Sequence, residues 1–585
     1  MFKQAALSPL RLADFKLQNK VTQLLEHLGK HDSHWCSWDF LQVAKSLRSC
    51  SLIKYDERNC MYSMHPLVQQ WCGTTIGNNK QDMKVCVLSI IGLSVPWAFN
   101  KDFIYRHTLL KHITSCMGSL NPKDIDPLVA LRLAFILYEQ GRWRDAEVLQ
   151  MVVMEKRMQV LGENHPDTLQ SMGSLVSIYR NQGRWKEAEE LGVVVMEKRR
   201  QMLGEDHPDT LSSTENVGIT YWNQGRWTDA EVIEVMVMEK RKQVLGKEHP
   251  DTLWSMANLA STYRNQGRWK EAEEFEVMVM EKRTKLLGDD HPETLSSMGN
   301  LASTYWNQGR WTNAEELEVL VMEKRKQVLG EDHPDTLWSM ANLASTYKNL
   351  GHRKEAEVLE VLVMEKRKLQ LGEDHPDTLS SMGNLASTYS GQGRWTDAEE
   401  LEVVVMEKRK QVLGEDHPDT LWSMANLAST YRGQGRWKEA EVFEIVVMEK
   451  RRQMLGEDHP DTLTSMGNLA NTYRNQSRWT ETEELEVVVM EKRKRLLGED
   501  HPDTLWSIAN LASTYKNQGR WKEAEKLEVV VMDKRKQLLG EGHPDTLSSM
   551  GNLANTYMNQ GRWTEAEELE VVDKRKQVLE TINIH

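Results

Sequence analysis

The sequence predicts an all-α solenoid, an array of about eleven stacked helical hairpins, and three observations predict it. The dipeptide His-Pro recurs ten times at an unbroken interval of 42 residues, at His165, His207, His249, His291, His333, His375, His417, His459, His501 and His543. Within each interval apolar residues fall twice into steps of three and four, the pattern of two amphipathic helices. A glycine separates most of these paired runs, and a proline opens the first. Self-similarity at this spacing denotes a one-dimensional stack in which each unit buries its apolar face only against its neighbours. Function is then sought on a repeated surface and not in a single pocket.

The unit from Pro250 to His291 justifies the elements in turn. Proline costs nothing in the first turn of a helix, and Asp251 complements the dipole there. Leu253, Met256, Ala260 and Tyr263 form one face, with Leu259 on its border. The first helix stops at Asn265, Gln266 and Gly267, because glycine takes the positive φ that ends a helix. A second helix opens near Trp269 and buries Ala272, Phe275, Val279 and Met280. Its acids, Glu271, Glu273, Glu274 and Glu276, precede its bases, Lys282, Arg283 and Lys285, which suits the dipole at both ends. Leu286, Leu287 and Gly288 close it, and an acidic loop leads to the next His-Pro. The histidines stand one repeat apart, about 10 Å, too far to share a metal ion, so they read as loop structure. The tryptophans at the Trp269 position read as core. Arg353 replaces that residue once, which marks the hairpin from Pro334 to Gly372 as the weakest of the interior.

Leu259, Ala260, Tyr263, Gly267, Trp269 and Ala272 together resemble the tetratricopeptide pattern of small, aromatic and glycine positions. The 42-residue spacing is similar to that of kinesin light chains and of the repeats carried by fungal NB-ARC or NACHT proteins of the NLR type. The resemblance covers about residues 124 to 581 and implies a right-handed superhelix whose first helices line a concave groove. Glu276 departs from it, since many such repeats carry a large apolar residue there.

Before the array, Phe40 to Leu52 reads as helix and Tyr55 to Ser63 as a short hairpin across Asp56 and Glu57. The string Met64 to Trp71 opens another helix and is similar to the end of the winged-helix segment of fungal NLR-type ATPases. Ile104, Tyr105, Arg106, Leu109, Leu110, His112 and Ile113 resemble the helical bridge such proteins place before their repeats. The expected organisation is a winged-helix-like remnant at 1–75, a bridge at 76–123 and the array at 124–585. At the far end the last second helix lacks two residues relative to its sibling, which rotates everything after Val572 by about 200°. Fraying is expected there.

Composition narrows the function classes. A net charge of −13 disfavours nonspecific nucleic-acid binding, which needs a basic surface. The six cysteines, Cys36, Cys50, Cys60, Cys72, Cys86 and Cys116, form no C-x-x-C pair, which points to reduced thiols and a cytoplasmic location. The apolar run Val85 to Phe99 is too short to span a bilayer and reads as core. No phosphate loop of the form G-x-x-x-x-G-K-[ST] occurs, and no catalytic constellation rises above the repeat background. Neither cofactor nor metal is expected, and the chain reads as a non-enzyme.

The candidate ligand surface is the side of the first helix left over by packing. At about 100° per residue, Trp254, Asn258, Ser261 and Asn265 fall opposite the Leu253 face. Asn258 has counterparts at Asn216, Asn300, Asn342, Asn384, Asn426, Asn468, Asn510 and Asn552. A carboxamide donates and accepts together, as an extended peptide backbone requires, and in kinesin-light-chain-like arrays asparagines at this place hold cargo peptides. The alternative is that they bond neighbouring helices or water. The flanking position varies: Arg180, Trp222, Arg264, Trp306, Lys348, Ser390, Arg432, Arg474, Lys516 and Met558. Six of the ten are basic, which suits a ligand with acidic side chains; drift at a tolerant site explains the variation equally well. Trp254, Trp338, Trp422 and Trp506 recur every 84 residues, either as exposed anchors or as indoles folded over a neighbouring repeat. The function expected is a protein- or peptide-binding scaffold, the sensor half of an NLR-type signalling protein. The alternatives are a truncated fragment of an NB-ARC ATPase and a kinesin-light-chain-type cargo adaptor.

Overall fold

The computed structural model describes residues 53–56, 61–64, 84–85, 87–89, 91, 103–118 and 120–569. The helix expected at 40–52, the helix expected at 64–71 apart from Met64, which ends a strand, five of the six cysteines and the chain after Val572 lie outside the described residues. The chain divides into two compact units, residues 1–182 and 183–585.

In the first unit, strand β1 (Ile53–Asp56) pairs antiparallel with β2 (Met61–Met64), Tyr55 opposite Tyr62 and Asp56 opposite Met61. The hairpin expected from the sequence is present, but Asp56, expected in its turn, belongs to the strand opposite Met61. The bridge residues form a helix, Phe103–Met117, that buries Leu109 and Ile113. Of the apolar run expected as core, Leu88 and Ile91 are buried and Val87 is exposed, and most of the run lies outside the described residues. Asp126 caps the next helix, Pro127–Glu139, by accepting from the Leu128 amide. It forms a hairpin with Trp143–Leu161, and Pro166–Asn181 follows.

The second unit starts with Trp185–Leu203 and continues as hairpins of one design, for example Pro250–Asn265 with Trp269–Leu287. Proline sits in each first turn because the histidine before it caps the helix: the Asp251 amide donates to His249 Nδ1 at 3.2 Å. The apolar face named above is the core, and Leu253, Met256, Leu259, Tyr263, Ala272 and Val279 pack with Met238 of the preceding hairpin. Burying each large side chain contributes about 1.5–3 kcal/mol.

Two charged ladders run through this interior. Glu276, the departure noted above, is 2% exposed, and every second helix from Glu234 to Glu528 buries the same residue. Thr262 of the following first helix donates to Glu234 at 2.6 Å. Arg283, one of the bases expected to complement the dipole at the end of its helix, is 4% exposed and donates to the Glu293 carbonyl and to Ser297 Oγ. The tryptophans expected as core are instead half-buried at the mouth of each second helix, and Trp563 is exposed. An indole at the first helical position has packed neighbours on one side only.

On the outside of the hairpins, Gln266 Nε2 and Arg268 Nη1 both donate to Glu231 of the preceding second helix, at 2.8 and 2.7 Å. The Arg268 guanidinium lies 4.0 Å over Tyr263. Leu350 and His352 occupy these two places once, so Glu315 receives neither donor.

The second unit also folds back on itself. His501 Nε2 meets the Asn265 carbonyl at 3.0 Å, 236 residues away, and the His501 ring stacks on Trp227. His459 stacks on Trp185 with centroids 5.6 Å apart. At 42 residues per repeat the return comes after about five and a half hairpins, so successive turns of the coil touch along a seam. Glycine is required on that seam: a Cβ on Gly267, whose φ is +73°, would lie 2.5 Å from Pro502 Cδ.

Candidate peptide-binding stripe

The stripe predicted on the first helices is present and is only partly free. Trp254 is 53% exposed, and Trp338, Trp422 and Trp506 are 41%, 39% and 40% exposed. Each of the last three leans on the preceding hairpin, because a Cβ on Gly299, Gly383 or Gly467 would touch Trp338, Trp422 or Trp506 at 3.2–3.5 Å. Glu215 stands where Gly299 does in its own repeat, and Trp254, facing it, is the most open of the four. The indole is also held by the arginine ladder, with Arg325 Cζ 5.5 Å from the Trp338 ring and Arg325 Nη2 donating to Ser296 Oγ at 3.0 Å. Sequence reasoning found the tryptophan alternation and missed its complement, a glycine that recurs at the same 84-residue interval on the facing helix.

Asn216, Asn258, Asn300, Asn342, Asn384, Asn426, Asn468 and Asn510 are half-buried and Asn552 is exposed, so the amides form a row along the stripe. Asn258 Nδ2 donates to Glu215 Oε1 at 3.2 Å, and that carboxylate is also paired with buried Arg241 at 2.9 Å. Ser261 is half-buried. Asn265 belongs elsewhere: its side chain donates to the Ser261 carbonyl of its own helix, and its own carbonyl receives His501 in the seam.

The variable basic position points inward. Arg264 Nη1 lies 3.1 Å from Glu276, Lys348 Nζ 3.0 Å from Glu360, Arg432 Nη1 2.8 Å from Glu444, Arg474 Nη1 3.9 Å from Glu486 and Lys516 Nζ 2.8 Å from Glu528. These five cations neutralise the buried carboxylates and keep only a minor part of their side chains in water. Burial pushes the Glu276 and Glu444 carboxyls up to about 7, against the opposing pull of Arg264 and Arg432. Where Trp306 or Ser390 replaces the cation, Glu318 and Glu402 are likewise pushed up to about 7 by burial, with a threonine hydroxyl opposing the shift.

Eleven consecutive segments, from 129–167 to 546–584, match the profile of the tetratricopeptide repeat. The chain belongs to the tetratricopeptide repeat family. Among solved structures, this tetratricopeptide array is similar to the kinesin light chain nearly identical TPR-like repeats of Podosopora anserina. The two are 31% identical over 35% of this chain and 97% of that one, with a TM-score of 0.30. BtubC (BKLC) from P. vanneervenii is 20% identical, covering 42% of this chain and 92% of its own, with a TM-score of 0.32. A Rap protein complexed with competence and sporulation factor is 10% identical over 64% and 99%, with a TM-score of 0.43. No curated protein matches. Among the described residues, no helix is long and apolar enough to cross a membrane, and no group of three or more His, Cys, Asp or Glu is placed to hold a metal.

Proposed function

We propose that the array is a protein- or peptide-binding scaffold that works through its first-helix stripe. The observation that carries this reading is the row of four indoles, 39–53% exposed at regular intervals on a stripe otherwise lined by half-buried amides. Large aromatics held partly out of water on a rigid support bury much area on binding with little loss of entropy. The expectation of an acidic ligand loses most of its support, because five of the six cations it rested on are paired with buried glutamates. We further read the scaffold as the sensor half of a cytoplasmic NLR-type signalling protein, on the resemblance of the Met64 to Trp71 string and of the bridge residues to that class.

The test is capture of a randomised peptide pool by the full chain at two salt concentrations, beside a variant with Asn258, Asn342 and Asn426 changed to alanine. Capture that the variant loses supports the stripe. Equal capture by both, or none by either, removes it.

A further inference from the structure

We propose that the stripe holds one slot for a basic side chain of the ligand, at Ser390 against Glu402; this rests on the scaffold reading above. The slot is defined by what fills it in other hairpins. Arg432 Nη1 bonds Glu444 and also donates to the Asn468 carbonyl of the next first helix at 3.1 Å, while its Nη2 donates to Ser429 Oγ at 3.2 Å. Arg264 repeats the arrangement with Glu276, the Asn300 carbonyl and Ser261. Three acceptors from two hairpins thus converge on one guanidinium, a fork geometry that a planar cation with several N–H donors satisfies.

At Ser390 the acceptors are kept and the cation is lost. Glu402 occupies the place of Glu444, the Asn426 carbonyl that of Asn468, and Ser387 that of Ser429. Glu402 is 4% exposed, and whereas Arg432 pairs with Glu444 Oε1, no Lys or Arg lies within ion-pair distance of Glu402 among the described residues; its Oε2 has no hydrogen-bond partner, as is also true of Glu444. Elsewhere without a cation the position carries a long side chain, an indole at Trp222 and Trp306 and a thioether at Met558; serine leaves it short. The neighbouring occupants Lys348 and Arg432 are 27% and 18% exposed in their side chains, so the same place is reachable from solvent. A buried carboxylate without a cation is costly, and an arginine arriving from outside would relieve that cost. The slot therefore selects a peptide with an arginine, and less strongly a lysine, whose own backbone lies along the row of amides.

The experiment uses the full chain immobilised and a nonapeptide pool randomised at every position but the centre, which is fixed as Arg, as the uncharged isostere citrulline, or as Glu. The parent should enrich the Arg pool at least tenfold over citrulline. Ser390→Arg, which supplies the cation in cis as Arg432 does, should raise the melting temperature and abolish that preference. Ser390→Lys serves the same purpose should the longer fork fail to fold. Equal enrichment of Arg and citrulline, or a preference that survives both substitutions, overturns the slot and leaves the scaffold reading standing. Capture of no pool overturns both.

Discussion

Glu402→Gln tests the physical basis of the interior ladder. Glu402 is 4% exposed, meets no cation, and has its carboxyl pushed by burial from 4.5 to about 7. Because its folded value lies above its unfolded one, the native state holds the proton more tightly between those limits. Stability contributed by this residue is therefore full below about 4.5, falls as pH rises towards about 7, and is level above. Keeping the carboxyl near 7 rather than 4.5 costs the native state about 3 kcal/mol above both values. An amide has the shape of the protonated acid and pays none of this. Glu402→Gln should stabilise the protein by about 2–3 kcal/mol at pH 8 and by less than about 1 kcal/mol at pH 5. Denaturant unfolding followed by circular dichroism at the two pH values reads the difference. Equal gains at both, or a loss at pH 8, would show that the carboxylate is solvated or paired in solution and would refute the argument. Glu528→Gln, which leaves Lys516 half-buried without its partner, should instead destabilise by about 1–3 kcal/mol.

Other expectations follow from single residues. Ser477 holds φ at +61° where the other units have glycine, so Ser477→Gly should raise stability by about 1 kcal/mol, read as a shift in the denaturation midpoint. The hairpin of Pro334–Leu350 and Arg353–Leu371 lacks both the tryptophan and the donors to Glu315, so its amides should exchange fastest in the interior; Leu350→Gln with His352→Arg should slow them, and uniform exchange across hairpins would exclude the idea. Replacing His459 and His501 with alanine should open the seam and enlarge the radius of gyration in X-ray scattering. Burial lowers both histidines from 6.5, so the parent's seam should hold above that pH and loosen as pH falls through the lowered value.

The hairpins were legible because their local rules agree: proline after a histidine cap, a small-aromatic face, a glycine stop. The 84-residue tryptophan alternation was also visible, yet its meaning required the facing Gly299, which lies on a different hairpin and is adjacent only in space. The burial of Glu276 and Arg283 was illegible for a related reason. A charged residue in a helix reads as solvated until its partner is known, and the partners come from the first helix, Arg264 in the same hairpin for Glu276 and Ser297 in the next for Arg283. The seam was illegible altogether, since nothing in a 42-residue period states how many units make one turn.

That seam sets a clock on biosynthesis. Trp227 and the Asn265 carbonyl leave the ribosome long before the His501 that covers them, which follows 236 residues after Asn265. At about 5–20 residues per second the first coil waits roughly 10–50 s for its lid. During that interval the glycine turns and their indoles stand open to any other nascent copy whose His-Pro loops are already made, so polysomes translating this message face a choice between closing within one chain and linking two.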